Sequence, residues 1–297
     1  MKTTFKLLAF ILFVLTIQSC KKKDEETKLE KVTKDVSNNL NISILLDLSD
    51  RISPTKFPNS TMEYYLRDVG YINSVAEAFK SHLNTKKVRQ ADDKIQLFFD
   101  PAPFNSKINK ISNDLKMKIT RDNISKEEIN NVKEKYATES LEIYKLAIKD
   151  NNYVGSDTWK FFKNKINDYC IEDNYRNILI VLTDGYIYFE DTKIREVNMT
   201  TYLTSDIISS NGLNNSNWNE KIIKQKFAFI PANANLSNLE ILVLGINPNT
   251  KNPYEEDVIK AYWTNWFETM KVKRFEIHSS ELPSNMDKII EKFINNK

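Results

Sequence analysis

The chain has 297 residues, and its 43 lysine and arginine residues against 40 aspartate and glutamate residues give a formal net charge of +3. Hydrophobic residues make up 41% of it, which allows a sizeable core and excludes global disorder. The near balance of charge gives no field that would attract nucleic acid. The five glycines are too scattered for a phosphate-binding loop, and only two histidines and two cysteines argue against a His-based zinc site, a Ser-His-Asp triad and CxxC redox chemistry.

The N-terminus has the organisation of a signal peptide. A positively charged start precedes an apolar run over residues 7–17, which is long enough for a signal-peptide core and too short to span a bilayer. The run ends in Ile-Gln-Ser-Cys at residues 17–20, which resembles the lipobox of bacterial lipoproteins. The resemblance implies that residues 1–20 are a lipoprotein signal peptide and that Cys20 carries a lipid that holds the chain on a membrane. The alternative is an uncleaved N-terminal anchor.

Residues 21–38 contain few apolar side chains and predict a flexible linker. The linker opens with the charge run Lys-Lys-Lys-Asp-Glu-Glu, which on its own is typical of a solvated tether. Its position directly after Cys20 resembles the export signal of surface lipoproteins in the Bacteroidetes. We therefore expect a membrane lipoprotein of a bacterial cell envelope, in the outer membrane and exposed at the surface.

Strands and helices are predicted to alternate along the remainder of the chain. Apolar runs without alternation are typical of strands buried on both faces of a parallel sheet, whereas apolar residues at helical spacing predict helices between them. Strands are predicted over residues 41–46, 94–99, 115–119, 177–182, 239–246 and 273–278. Helices are predicted over residues 72–83, 126–148, 159–166 and 253–270 and from residue 283 onwards.

This order predicts an α/β fold with right-handed crossovers, that is, a doubly wound and mostly parallel sheet with helices on both faces in three layers. No composition break divides residues 39–297, which we take as one domain. Residues 186–236 are rich in asparagine and serine and only weakly periodic, so we expect an insertion on the rim of the sheet.

Oxygen-bearing side chains follow two of the predicted strands. Asp47 and Ser49 come after the first strand, Asp184 follows the strand at 177–182, and Ser156 precedes a short helix between them. Ligands of open α/β sheets bind beyond the carboxyl ends of the strands. Carboxylates and hydroxyls without nitrogen or sulfur suit a hard cation, Mg²⁺ ahead of Ca²⁺ or Mn²⁺. Thr158 is the alternative to Ser156 as the midway hydroxyl.

This pattern resembles the von Willebrand factor A (VWA) domain and its metal-ion-dependent adhesion site. That family carries Asp-x-Ser-x-Ser after its first strand, a Thr midway before a helix, and an Asp, often in Thr-Asp-Gly, after its fourth strand. Asp47, Ser49, Ser156 and Asp184 match these elements, and the order of elements agrees over about residues 39–297. The resemblance implies recognition rather than turnover. An open position on the metal would take an acidic side chain of a partner protein.

Arg51 departs from the family pattern because it stands where the second Ser is expected. A guanidinium cannot ligate a cation, and it can place its own charge in the position of the metal. Two arrangements would preserve the metal site: Ser53 could replace the missing hydroxyl, or Asp50 could pair with Arg51 and turn it away. A degenerate VWA fold without metal is the alternative.

Simpler interpretations of the same residues remain open. Asp184-Gly185 between apolar runs also predicts a hairpin with a type I′ turn. Asp47 could form an Asx turn or a helix N-cap rather than a ligand. Trp263 and Trp266 favour a place in the core over a carbohydrate platform.

The sequence therefore predicts a lipid-anchored envelope protein whose VWA-like domain binds a protein partner through a divalent metal. One alternative is a metal-dependent hydrolase that uses Asp47, Asp50 and Asp184 to hold metal and activate water. A metal-free scaffold in an envelope complex is another. We expect no catalysis in the first case, because no nucleophile with an adjacent base is recognisable.

Overall fold

The computed structural model describes residues 38–153 and 155–295. The predicted signal peptide, the lipid attachment site Cys20 and residues 21–37 of the predicted linker lie outside these described residues. None of the helices in the described ranges combines the length and the apolar character that a bilayer crossing requires.

Nine strands form two sheets within the described residues. They are β1 (Leu40–Leu46), β2 (Asp92–Phe98), β3 (Met117–Thr120), β4 (Arg176–Leu182), β5 (Arg195–Glu196), β6 (Met199–Thr200), β7 (Ala228–Phe229), β8 (Leu239–Ile246) and β9 (Arg274–Ser279). The main sheet has the order β3-β2-β1-β4-β8-β9, and every neighbouring pair is parallel except the edge pair of β2 and β3. This is the doubly wound order that places a ligand crevice at the carboxyl ends of the central strands.

Over the same described ranges the chain forms nine α-helices. They are α1 (Tyr64–Thr85), α2 (Ser106–Asp114), α3 (Lys126–Asp150), α4 (Thr158–Asn164), α5 (Ile166–Cys170), α6 (Ser205–Ser210), α7 (Trp218–Gln225), α8 (Glu255–Thr269) and α9 (Pro283–Asn295). Alternate residues of a strand face opposite sides of a sheet. On β4, Ile180 packs in the core beneath α1, α3 and α9, whereas Val181 packs in the core beneath α4, α5 and α8. The predicted three-layer α/β fold with a mostly parallel sheet is confirmed.

Two element boundaries differ from the prediction. The predicted edge strand at 115–119 begins at Met117, because Leu115 still caps α2. Asn252 and Pro253 were expected to start a helix, but α8 begins two residues later, at Glu255. The side chain of Asn252 instead accepts a hydrogen bond from the backbone N–H of Tyr254 (3.1 Å). Its oxygen therefore stabilises the turn that leads into the helix.

The helix predicted over residues 159–166 is two helices. Lys165 separates α4 from α5 with a φ of −121° and a ψ of −27°, outside the helical geometry on either side. The apolar spacing that predicted one helix runs through this break, since Phe162 and Ile166 are both buried in the same core. Periodicity reports which face is buried and not whether the helix is continuous.

Residues 186–236 carry the small sheet β5-β6-β7 together with α6 and α7. The segment is fixed to the core through the backbone carbonyl of Ile230, which accepts hydrogen bonds from the indoles of Trp159 (2.8 Å) and Trp266 (3.1 Å). Trp263 and Trp266 are fully buried, so the prediction of a core role for both is confirmed.

Candidate functional site

An open cavity of about 1030 Å³ lies at the carboxyl ends of the central strands. Its lining brings together the four side chains that the sequence singled out, namely Asp47, Ser49, Ser156 and Asp184. Parallel strands present their carboxyl ends at one edge of the sheet, so segments distant in the chain meet there.

Asp47 directly follows β1 and is held in place by its own backbone. Its N–H donates to the carbonyl of Leu182 at the end of β4 (3.0 Å). One carboxylate oxygen accepts from the N–H of Ser49 (2.8 Å), and the other accepts from the hydroxyl of Thr183 (3.3 Å). The Asx turn weighed as an alternative is therefore present, and both oxygens of Asp47 already have donors.

Ser156 reaches the cavity from the segment before α4. Its backbone forms a bridge with Tyr188, and its buried hydroxyl lies 3.1 Å from that of Thr158. Asp157 caps α4, with its side chain accepting from the N–H of Lys160 (3.1 Å). The cap fixes where the helix begins and so fixes Ser156 directly before it.

Asp184 lies in the loop after β4, where no hairpin forms. Strand β4 ends at Leu182 and pairs in parallel with β1 and β8, so the type I′ hairpin interpretation is wrong. One oxygen of Asp184 accepts from the N–H of Tyr186 (3.1 Å), and the carbonyl of Gly185 accepts from the indole of Trp263 (2.8 Å). Burial, followed by the charge of Asp47, raises the pKa of Asp184 to about 7 against the opposing effect of Arg51.

Arg51 lines the cavity with its side chain turned inward and buried. Its Nη2 donates to the carboxylate of Asp68 (2.6 Å) and to the carbonyl of Leu182 (3.1 Å), and its Nε donates to the carbonyl of Asp47 (3.2 Å). Nε also lies 3.5 Å from a carboxylate oxygen of Asp47. Burial disfavours the charge, but the carboxylates of Asp68 and Asp47 outweigh burial and raise the pKa of Arg51 above its ordinary value.

The two arrangements that would have preserved a metal site are not what the structure shows. Asp50 pairs with Lys56 (3.0 Å) at the surface, whereas Arg51 is buried. The hydroxyl of Ser53 accepts from the backbone N–H of Lys56 (3.3 Å). Neither residue moves Arg51 away from Asp47.

The residues present do not fit a divalent cation. A metal bound to Asp47 would lie within about 2.6 Å of its oxygens, next to a guanidinium that already approaches one of them to 3.5 Å. Like charges at such separations repel strongly in a buried site. Within the described ranges, no group of three or more His, Cys, Asp or Glu side chains is arranged to hold a metal ion.

Sequence reasoning missed Asp68 and the aromatic rim of the cavity. Asp68 lies on α1 and also accepts from the hydroxyl of Tyr144 (2.9 Å), yet no motif marks it. Phe57 and Tyr188 line the cavity, and each is 45% exposed. Exposed aromatic side chains cannot be told from core ones by composition, so only the structure reveals them.

The comparisons with known proteins give only weak likeness, and only to solved structures. No family model matches the chain, and no curated protein matches it. Among solved structures, it is similar to an aerotolerance-related membrane protein from Bacteroides fragilis NCTC 9343, determined with multiple mutations to serines. The identity is 9% over 87% of this chain and 100% of the other, with a TM-score of 0.38. A likeness this weak supports no inference about function.

Proposed function

We propose that this chain is a lipid-anchored protein of a bacterial cell envelope whose VWA-like domain binds a protein partner at the cavity described above. The observation that carries the proposal is the convergence of Asp47, Ser49, Ser156 and Asp184 on one cavity at the ligand-binding edge of the sheet. Their order along the chain is the order in which the VWA family presents its adhesion residues.

The rim of the cavity supports a protein as the ligand. Phe57, Tyr188 and Tyr186 lie around the polar floor. Aromatic residues are enriched at protein interfaces, where their large surfaces supply much of the binding energy. A partner protein would bury the exposed rings of Phe57 and Tyr188, whereas a metal ion or a small anion would leave both rings in contact with water.

The envelope location rests on the N-terminal sequence. The lipobox-like residues 17–20 support attachment of lipid to Cys20, and the charge run that follows supports export to the surface of the outer membrane. In this proposal the predicted linker over residues 21–38 tethers the domain to the lipid.

Site-specific photocrosslinking in whole cells tests the proposal. A benzophenone amino acid at Tyr188 samples the rim of the cavity, and the same group at Asp122 samples an exposed turn at the opposite edge of the sheet. We expect a discrete crosslinked product from Tyr188 and none from Asp122. Identical products from both positions, or none from Tyr188, would overturn the proposal.

A further inference from the structure

The Arg51 guanidinium joins the segments that meet beneath the cavity. It contacts Asp47 after β1, the carbonyl of Leu182 at the end of β4, and Asp68 on α1. The loops after β1 and β4 also supply Asp47 and Asp184 to the cavity. Arg51 therefore ties together the same pair of loops that a cation shared by those two carboxylates would tie.

The buried carboxylates around Arg51 require a cation. Asp47 is 4% exposed and Asp68 is 1% exposed, and both approach the guanidinium of Arg51, which is 6% exposed. Buried carboxylates are costly unless they are paired and hydrogen-bonded. Arg51 meets this requirement with a charge that stays in place at every physiological pH.

The position of Arg51 in the chain also supports its role as a cation. It lies two residues after Ser49, where the Asp-x-Ser-x-Ser pattern would supply a hydroxyl. The short helical turn Asp50–Ile52 that contains it ends at the buried Ser53, whose backbone N–H donates to the carbonyl of Asp50 (2.9 Å) and closes the turn. A cation attached to the backbone cannot dissociate, and no chelator removes it.

We infer that Arg51 is the built-in cation of this site and that the domain needs no divalent ion there. The guanidinium holds the loops after β1 and β4 together by its contacts with Asp47, Leu182 and Asp68. The inference deepens the proposed function, because it concerns the cavity where we place the partner, but it can be tested on the protein alone.

Thermal unfolding of the full chain in detergent micelles provides the test. Tm is measured in a chelator and across a Mg²⁺ titration for the wild type, for Arg51→Ser and for Arg89→Ser. The first variant restores the Asp-x-Ser-x-Ser pattern and removes the guanidinium. The second is a matched control, since Arg89 is exposed in the turn before β2. A ligand that binds only the folded state raises Tm as its concentration rises.

We expect the wild type and Arg89→Ser to keep one Tm in chelator and in Mg²⁺. Arg51→Ser should unfold at a lower temperature in chelator and regain part of the loss in Mg²⁺, with saturation. A saturable rise of the wild-type Tm in Mg²⁺ would overturn the inference. A folded Arg51→Ser protein that ignores Mg²⁺ would also overturn it, because the position would then not be a cation position.

If Arg51→Ser does not fold, the wild-type titration decides alone, and equilibrium dialysis of the wild type against Mg²⁺ repeats it without unfolding. Bound Mg²⁺ at one ion per chain would contradict the inference, and none bound would support it. Failure of the inference leaves the crosslinking result at Tyr188 untouched. Loss of that crosslink would instead remove the proposed partner and leave the role of Arg51 standing.

Discussion

At the scale of single residues, Asp93 shows how a buried carboxylate makes stability depend on pH. It is fully buried and accepts hydrogen bonds from the N–H of Leu40 (2.7 Å) and from Lys86 (2.6 Å), with His82 at 3.0 Å. Burial opposes its charge, but His82, Lys86 and Leu40 together lower the pKa of Asp93 below its ordinary value.

We predict that Asp93→Asn weakens the dependence of stability on acid pH. A lowered pKa in the folded state adds stability that is complete above the unfolded value of about 3.9 and is lost as the pH falls through the folded value. The free energy of unfolding of the wild type should therefore fall more steeply below pH ~4 than that of the variant. Urea denaturation at a series of pH values measures both slopes. Equal slopes for the wild type and the variant would contradict the prediction, because the pKa of Asp93 would then be the same in the folded and unfolded states.

The orientation of the Arg51 side chain could not be predicted from its neighbours in the sequence. From the sequence alone, Arg51 could be placed next to the pattern formed by Asp47 and Ser49, and its charge could be expected to compete with a metal ion. Its orientation is set by Asp68, which lies 17 positions further on and on a helix. Whether an arginine points out to Asp50 or in to Asp68 depends on packing between elements, which local patterns do not contain.

At the scale of elements, Gly185 positions the loop that carries Asp184. Its φ is +99°, and a Cβ at this residue would lie 2.6 Å from the side chain of Ile259 on α8. Gly155 also has a positive φ, +79°, but a Cβ there would meet nothing closer than 3.6 Å. Comparing substitutions at the two glycines therefore separates the cost of a positive φ from the cost of a steric clash.

We predict that Gly185→Ala is clearly more destabilising than Gly155→Ala. Both variants carry the cost of a positive φ, about 1–2 kcal/mol. Only Gly185→Ala adds a clash against a close-packed helix, which raises the total by roughly 1–3 kcal/mol. Denaturant unfolding of the two variants measures the difference. Equal losses would mean that α8 shifts without cost and that the loop is less tightly held than its contacts indicate.

Elements were more predictable than their junctions. The strands β1, β4 and β8 were recognisable because burial on both faces gives apolar runs without alternation. The break between α4 and α5 lies within one continuous apolar stripe, so periodicity could not reveal it. The start of α8 could not be predicted either, because the side chain of Asn252 caps the turn before the helix and not the helix itself.

At the scale of the whole molecule, the proposed lipid anchor is expected to hold the domain and its cavity at the membrane. We predict that Cys20→Ser moves the protein from the membrane fraction to the soluble fraction, because the acyl chains supply the membrane affinity. Cys170→Ser is the matched control, since Cys170 is the other cysteine of the sequence and is buried in the core. Fractionation followed by immunoblotting measures both. Retention of Cys20→Ser in the membrane would favour an uncleaved N-terminal anchor.

In the proposed function a partner docks at the cavity rim, and Arg51, not a divalent ion, holds the site in shape. Crosslinking from Tyr188 in isolated envelopes, with chelator in one sample and Mg²⁺ in the other, tests both parts at once. We predict the same crosslinked product at the same yield in the two samples. A product that disappears in chelator and returns with Mg²⁺ would contradict the claim.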